Sequence, residues 1–99
     1  MPVDRRPLSP DEVAHLVQAL DGWELDGSSL RRQLVFDSFV QAFGFMAQVA
    51  LIAERLNHHP NWSNVYNRVD IALTTHDAGG LTALDFEFAR LVDAVLTRA

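Results

Sequence analysis

Three of the chain's four histidines fall close together: His58 and His59 within Asn57-His58-His59-Pro60-Asn61-Trp62, and His76 a short distance on. Imidazole is the side chain whose ordinary pKa lies near neutrality, so a group of them can give and take protons at working pH. Neighbouring imidazoles also resist simultaneous protonation, which suits one to serve as acid while another serves as base. Trp62 adds a flat apolar surface on which a ring can stack. Together these residues suit a small acid/base site for a neutral heterocycle.

Other residues in the stretch would hold that site in place. Glu54 lies four residues before His58, the spacing that stacks side chains on one helical face, so it is expected to hold the His58 ring. Pro60 stops a helix from running past the histidines and fixes the pair at a helix end. A metal is the competing reading, with His58, His59 and His76 supplying nitrogen and Glu54 oxygen. Adjacent residues tend to point apart, however, and no zinc spacing such as His-Glu-x-x-His is present. The expectation is a site without metal or cofactor.

The elements that must carry these residues follow from periodicity. Ser9-Pro10-Asp11-Glu12 reads as a capped helix start, and Val13, Leu16, Val17 and Leu20 then repeat at helical spacing until Asp21-Gly22. His15, off that apolar line, reads as an exposed surface residue. Trp23-Glu24-Leu25 and a strand over 30–36 form a hairpin around Asp26-Gly27-Ser28, with Arg32 interrupting the inner row. The most apolar segment predicts a helix over 39–57. Its polar residues Gln41, Gln48 and Arg55 share one narrow stripe, so the helix is expected to be buried on two sides, against its own sheet and against another subunit. A short extended piece over 64–67 and a clear strand over 69–75 follow, with His76 at the strand's end. Asp77-Ala78-Gly79-Gly80 reads as a turn, and Thr82 with Asp85 starts a last helix whose core face is Leu84, Phe88, Leu91, Val92, Val95 and Leu96. Asp85 reads as the cap acceptor of that helix, Tyr66 as packing and Asp70 as a solvated charge. The fold class is α+β, a four-stranded antiparallel sheet with three helices packed on one face, in a single domain.

Composition narrows the partners. A formal charge of −5, with Arg5-Arg6 and Arg31-Arg32 as isolated doublets, opposes binding to nucleic-acid phosphate. Both doublets read as solvated surface charge, and residues 1–8 as a loose lead-in. The absence of cysteine rules out disulfides and a thiolate nucleophile. No apolar run at the N-terminus reads as a secretion signal, and no segment reads as a membrane span, so a cytoplasmic protein is expected.

The pattern Phe43-Gly44-Phe45-Met46, Glu54, His58-His59-Pro60, Trp62, Asn64-Val65-Tyr66-Asn67, Thr75-His76 and Asp85 resembles the pterin-4a-carbinolamine dehydratase family. The resemblance covers nearly the whole chain and is densest from Phe43 to Asp85. It implies a fold of helix, two strands, helix, two strands, helix. It also implies dehydration of a 4a-hydroxytetrahydropterin to a quinonoid dihydropterin and water in tetrahydrobiopterin recycling, with no metal or redox cofactor. By position, His58 and His76 would act as acids at the departing hydroxyl, and His59 would bind the pterin and assist at a ring nitrogen. Pro60, Trp62, Thr75, His76, Asp77 and Ala78 would line the pocket. The family's dimers and tetramers imply a homo-oligomer, and some animal members that serve as dimerisation cofactors of a transcription factor imply a second role for the helix face of Phe43, Met46 and Val49.

Overall fold

Each of the three helices starts on a hydroxyl. In the computed structural model, which describes residues 5–97, these are α1 (Pro10–Val17), α2 (Phe39–Leu56) and α3 (Ala83–Leu96). Ser9 and Thr82 form complete capping boxes with Glu12 and Asp85, and Ser38 accepts the Gln41 amide. Each cap satisfies an amide that has no partner inside its helix. The strands are β1 (Glu24–Asp26), β2 (Ser29–Val35), β3 (Asn61–Val65) and β4 (Arg68–Leu73), all antiparallel in the order β1-β2-β4-β3. The α-β-β-α-β-β-α order and the α+β class are those expected.

Side-chain alternation separates the two faces of the sheet. Leu30 pairs with Leu73, and Leu34 with Val69, on the helix-covered side, where they meet Phe45, Val49 and Ile52 of α2 and Phe88 and Val92 of α3. Val13 of α1 joins the same core. Arg31, Gln33, Asp70 and Ala72 alternate with these residues and lie on the open side. Asp70 is nonetheless half-buried rather than solvated, because it stands on an inner strand between Gln33 and Ser63.

Several expectations need correction. The segment read as extended over 64–67 is a strand that begins three residues earlier, at Asn61, directly after the His-His-Pro sequence. Tyr66 and Asn67 form its turn. Tyr66 is exposed at positive φ rather than packed. Arg32 interrupts the inner row because it is half-buried there. It donates to Asp93 at 2.8 Å and to the Asp21 carbonyl at 3.0 Å, while Trp23 Nε1 donates to the same Asp93 oxygen. The lead-in is held from Arg5 onward, with the Leu8 amide bonded to the Leu81 carbonyl at 3.0 Å and Pro7 bridged to Thr82. Residues 1–4 of that stretch lie outside the described residues.

α2 packs against α3 and β4. Ala42, Phe45, Val49, Ile52 and Ala53 are buried against the sheet and α3. On its far side Val40 (79% exposed), Phe43 (58%) and Leu51 (72%) are bare. One side of the expected two-sided burial is therefore met within the chain. The bare face is not the one expected from Phe43, Met46 and Val49, because Val49 is fully buried and Met46 packs on the core. In length and composition α2 does reach a short membrane span, against the sequence expectation, with 18 residues and a mean hydropathy of 1.3. Its packed side is that of a core helix.

Candidate active site

The end of α2 sets the geometry. Asn57 adopts the left-handed conformation (φ 50°, ψ 47°), one of the few non-glycine residues that do so readily. The His58 amide then reaches back to the Ala53 carbonyl at 3.0 Å, and the Asn57 amide to Glu54, in the six-to-one and five-to-two pattern of a Schellman stop. This reversal turns His58 inward and leaves His59 outside. His58 is 8% exposed, with its ring edge-on to Phe88 at 6.1 Å between centroids.

His58 Nε2 donates to Asp85 Oδ1 at 2.5 Å, and Asp85 is fully buried. The other Asp85 oxygen accepts from the Thr82 amide at 3.0 Å and the Thr75 hydroxyl at 2.7 Å. Thr75 gives its one proton to Asp85, so the 3.0 Å contact between the two threonine hydroxyls has Thr82 as donor. With both oxygens bonded and the helix N-terminus beside it, a buried carboxylate is well accommodated. Its bond to the imidazole fixes the tautomer. The proton sits on Nε2, and Nδ1 is the ring nitrogen left for a guest.

The expected Glu54–His58 pair is not formed. Glu54 instead accepts from His59 Nε2 at 2.9 Å, with both side chains well exposed. The i, i+4 argument assumed helical geometry up to position 58. The left-handed Asn57 ends that geometry one residue earlier and brings the next residue over Glu54.

His76 arrives from the other side. It follows β4 in a single 3-10 turn, His76–Ala78, closed by reciprocal bonds between Thr75 and Gly80 and by Gly79 at φ 76°. Such a short closed loop gives His76 a defined position although it is exposed.

A shallow hollow of about 260 Å³ brings the three imidazoles together, with Thr74, Thr75 and Asp77 along its strand side and Arg5 and Asn57 at the helix side. The expected site residues His58, His59, Thr75, His76 and Asp77 thus share one cavity. Pro60, Trp62 and Ala78 are not among its walls. Trp62 stands opposite Ile71 on the covered side of the sheet and packs on the core, because the earlier start of β3 sets its alternation inward. A larger hollow of about 400 Å³ lies on the sheet beside β1, between Asp26, Arg31 and Arg32, but contains no histidine. Volume alone does not mark the chemistry. Among the described residues no three His, Asp or Glu side chains converge to hold a metal ion. His58 and His59 each direct Nε2 at a carboxylate instead.

Arg5 and the His58–Asp85 bond were not anticipated as part of the site. The Thr82-x-x-Asp85 spacing signals a cap, but only the fold shows that the cap carboxylate also reaches an imidazole 27 positions away. Nothing in the doublet Arg5-Arg6 marks one member as a wall of the site.

Known proteins resemble this chain in sequence and fold. Residues 6–95 match the family model described as Pterin 4 alpha carbinolamine dehydratase. A relative from Rhizobium johnstonii is 57% identical over 81 residues, which span 80% of either chain. One from Synechococcus sp. is 51% identical over 88 residues, covering 89% of this chain and 95% of its own. Both carry the name "Putative pterin-4-alpha-carbinolamine dehydratase". A crystal structure from Brucella melitensis, described as a transcriptional coactivator/pterin dehydratase, superposes with a TM-score of 0.86 at 48% identity, over 92% of this chain and 98% of that one. A pterin dehydratase-like protein described as a RuBisCO assembly factor in the alpha-carboxysome gives a TM-score of 0.67 at 26% identity, over 80% of this chain and 94% of that one. With a match from Arg6 almost to the end of α3, the chain belongs to the pterin 4 alpha carbinolamine dehydratase family.

Proposed function

We propose that the chain dehydrates a 4a-hydroxytetrahydropterin to the quinonoid dihydropterin and water, as a cytoplasmic homo-oligomer serving tetrahydrobiopterin recycling. The reaction breaks the C4a–O bond, protonates the leaving hydroxyl and removes a proton from a ring nitrogen, so atoms and charge balance without an oxidant. Hydroxide is a poor leaving group, and a positioned acid can contribute about a hundredfold to ten-thousandfold in rate. His58 and His76, on opposite sides of the hollow, serve as acids for the two stereoisomers at C4a. His59, tethered to Glu54, binds the pterin and accepts the nitrogen proton. The observation that carries this reading is that three imidazoles from two separate elements wall a single cavity. Pterin contacts along Thr75, Asp77 and Ala78, and from Pro60 and Trp62, belong to the same proposal.

The test is the decay of a freshly generated 4a-hydroxy-6-methyltetrahydropterin, followed by absorbance. The double variant H58A/H76A, and separately H59A, should lose activity by about a hundredfold or more while circular dichroism stays that of the parent. A double variant as fast as the parent would overturn the acid assignment.

A second reading, an interaction cofactor acting through α2, is favoured by the bare Val40, Phe43 and Leu51 and by the descriptions of the two related structures. A dimer or tetramer packed through α2 would cover the same face. Light scattering separates the two, because a stable tetramer leaves no such face for a partner.

A further inference from the structure

Arg5 holds the fixed positive charge at the histidine hollow. Its Nη2 donates to the Leu56 and Asn57 carbonyls at 3.3 and 3.1 Å, those of the last residue of α2 and of its cap. These groups have no partner inside the helix and carry its partial negative end, so they are natural anchors for a guanidinium. The backbone that follows is pinned as well, through Pro7 and Leu8 to Thr82 and Leu81. The tether engages Nη2 and leaves the Nε and Nη1 donors for a guest. Among the described residues the lining itself holds one carboxylate, Asp77, while Asp85 and Glu54 are taken up by His58 and His59, in a chain whose formal charge is −5.

The chemistry of the guest says what that charge meets. In a pterin the reacting C4a is bonded to N5, and N5 to C6, which carries the variable substituent. With C4a and N5 at the imidazoles, the C6 substituent must leave the ring beside them. Arg5 is bonded to the carbonyl of Asn57, the residue immediately before His58, and so stands next to that exit.

We propose that Arg5 is a specificity-determining residue that favours pterins whose C6 substituent carries an anionic group, a carboxylate or a phosphate ester, over neutral ones. The proposal rests on the hollow being the pterin site. A tethered guanidinium offers charge-assisted hydrogen bonds without first having to be ordered, which is the advantage of arginine over a free lysine.

The test uses stable oxidised pterins and binding rather than turnover. The full-length protein is titrated by ligand fluorescence with pterin-6-carboxylate against 6-hydroxymethylpterin, and with neopterin 3′-phosphate against neopterin. The first pair places the charge on the ring and the second at the end of the tail, so they identify which anion Arg5 reaches. The parent should bind at least one anionic member about threefold to tenfold more tightly than its neutral counterpart, and added salt should shrink the ratio. In R5Q the ratio should fall towards one, and R5K, which keeps the charge but not the planar fork, should retain part of it. An anion preference missing from the parent, or undiminished in R5Q, overturns the proposal. Neutral pterins that bind as tightly as their anionic counterparts defeat the Arg5 assignment alone. If neither member of either pair binds, the pterin-site reading fails together with it.

Discussion

One carboxylate decides what His58 can do. Asp85 holds Nε2, so in the proposed reaction His58 would meet the pterin through Nδ1, as acceptor when neutral and as donor when doubly protonated. D85N keeps the shape but replaces an acceptor with an amide that can present a donor to the ring. It should lower kcat about tenfold to a hundredfold with a smaller change in KM, the usual scale for a group acting through its neighbour. The nitrogen-15 spectrum of the His58 ring should show the Nε2-protonated tautomer in the parent and a mixture in the variant. A parent-like spectrum and kcat in D85N would remove Asp85 from the mechanism. That the three histidines would lie together was legible in the sequence, because a helix end and a strand end separated by a short connection bring them to one hollow. The partner of His58 was not, since one left-handed residue, Asn57, redirects both rings and exchanges the carboxylates they meet.

At the scale of elements, caps were the clearest signals. Ser9 with Glu12 and Thr82 with Asp85 fix two helix starts by hydrogen bonds that involve only local sequence, and both appear as read. β3 was harder. It is an edge strand whose Asn61, Ser63 and Asn64 dilute the apolar alternation, so its beginning and the inward face of Trp62 were missed. The first cap also makes a pH prediction. The Ser9 amide, and then Arg6, hold the Glu12 carboxyl below the usual glutamate range. A carboxyl depressed by folding adds stability above its unfolded pKa and loses it as pH falls through the lower folded value. E12Q should therefore melt below the parent at neutral pH, with the gap closing in acid. A gap that stays constant from pH 7 to pH 3 would mean the charge plays no part.

The whole molecule is unevenly finished. Its sheet and three helices enclose one core, yet Val40, Phe43 and Leu51 form a bare apolar stripe along a helix that buries only one face. The sequence foretold the excess of apolar surface on α2 but not which arc would be bare, because that depends on how α3 and the sheet divide the helix between them. If copies of the chain pack through this stripe, V40E/L51E should elute as a smaller species than the parent with its circular dichroism unchanged. An unaltered mass in light scattering would place the association elsewhere, for instance along the β3 edge.

The Asp85 side chain is both the fastener of a helix's opening turn and the partner of the imidazole proposed to carry the proton. Heat that merely loosens that turn should therefore silence the imidazole while the rest of the molecule is still folded. Inactivation would then precede bulk melting and run in step with amide exchange at Thr82 and Asp85.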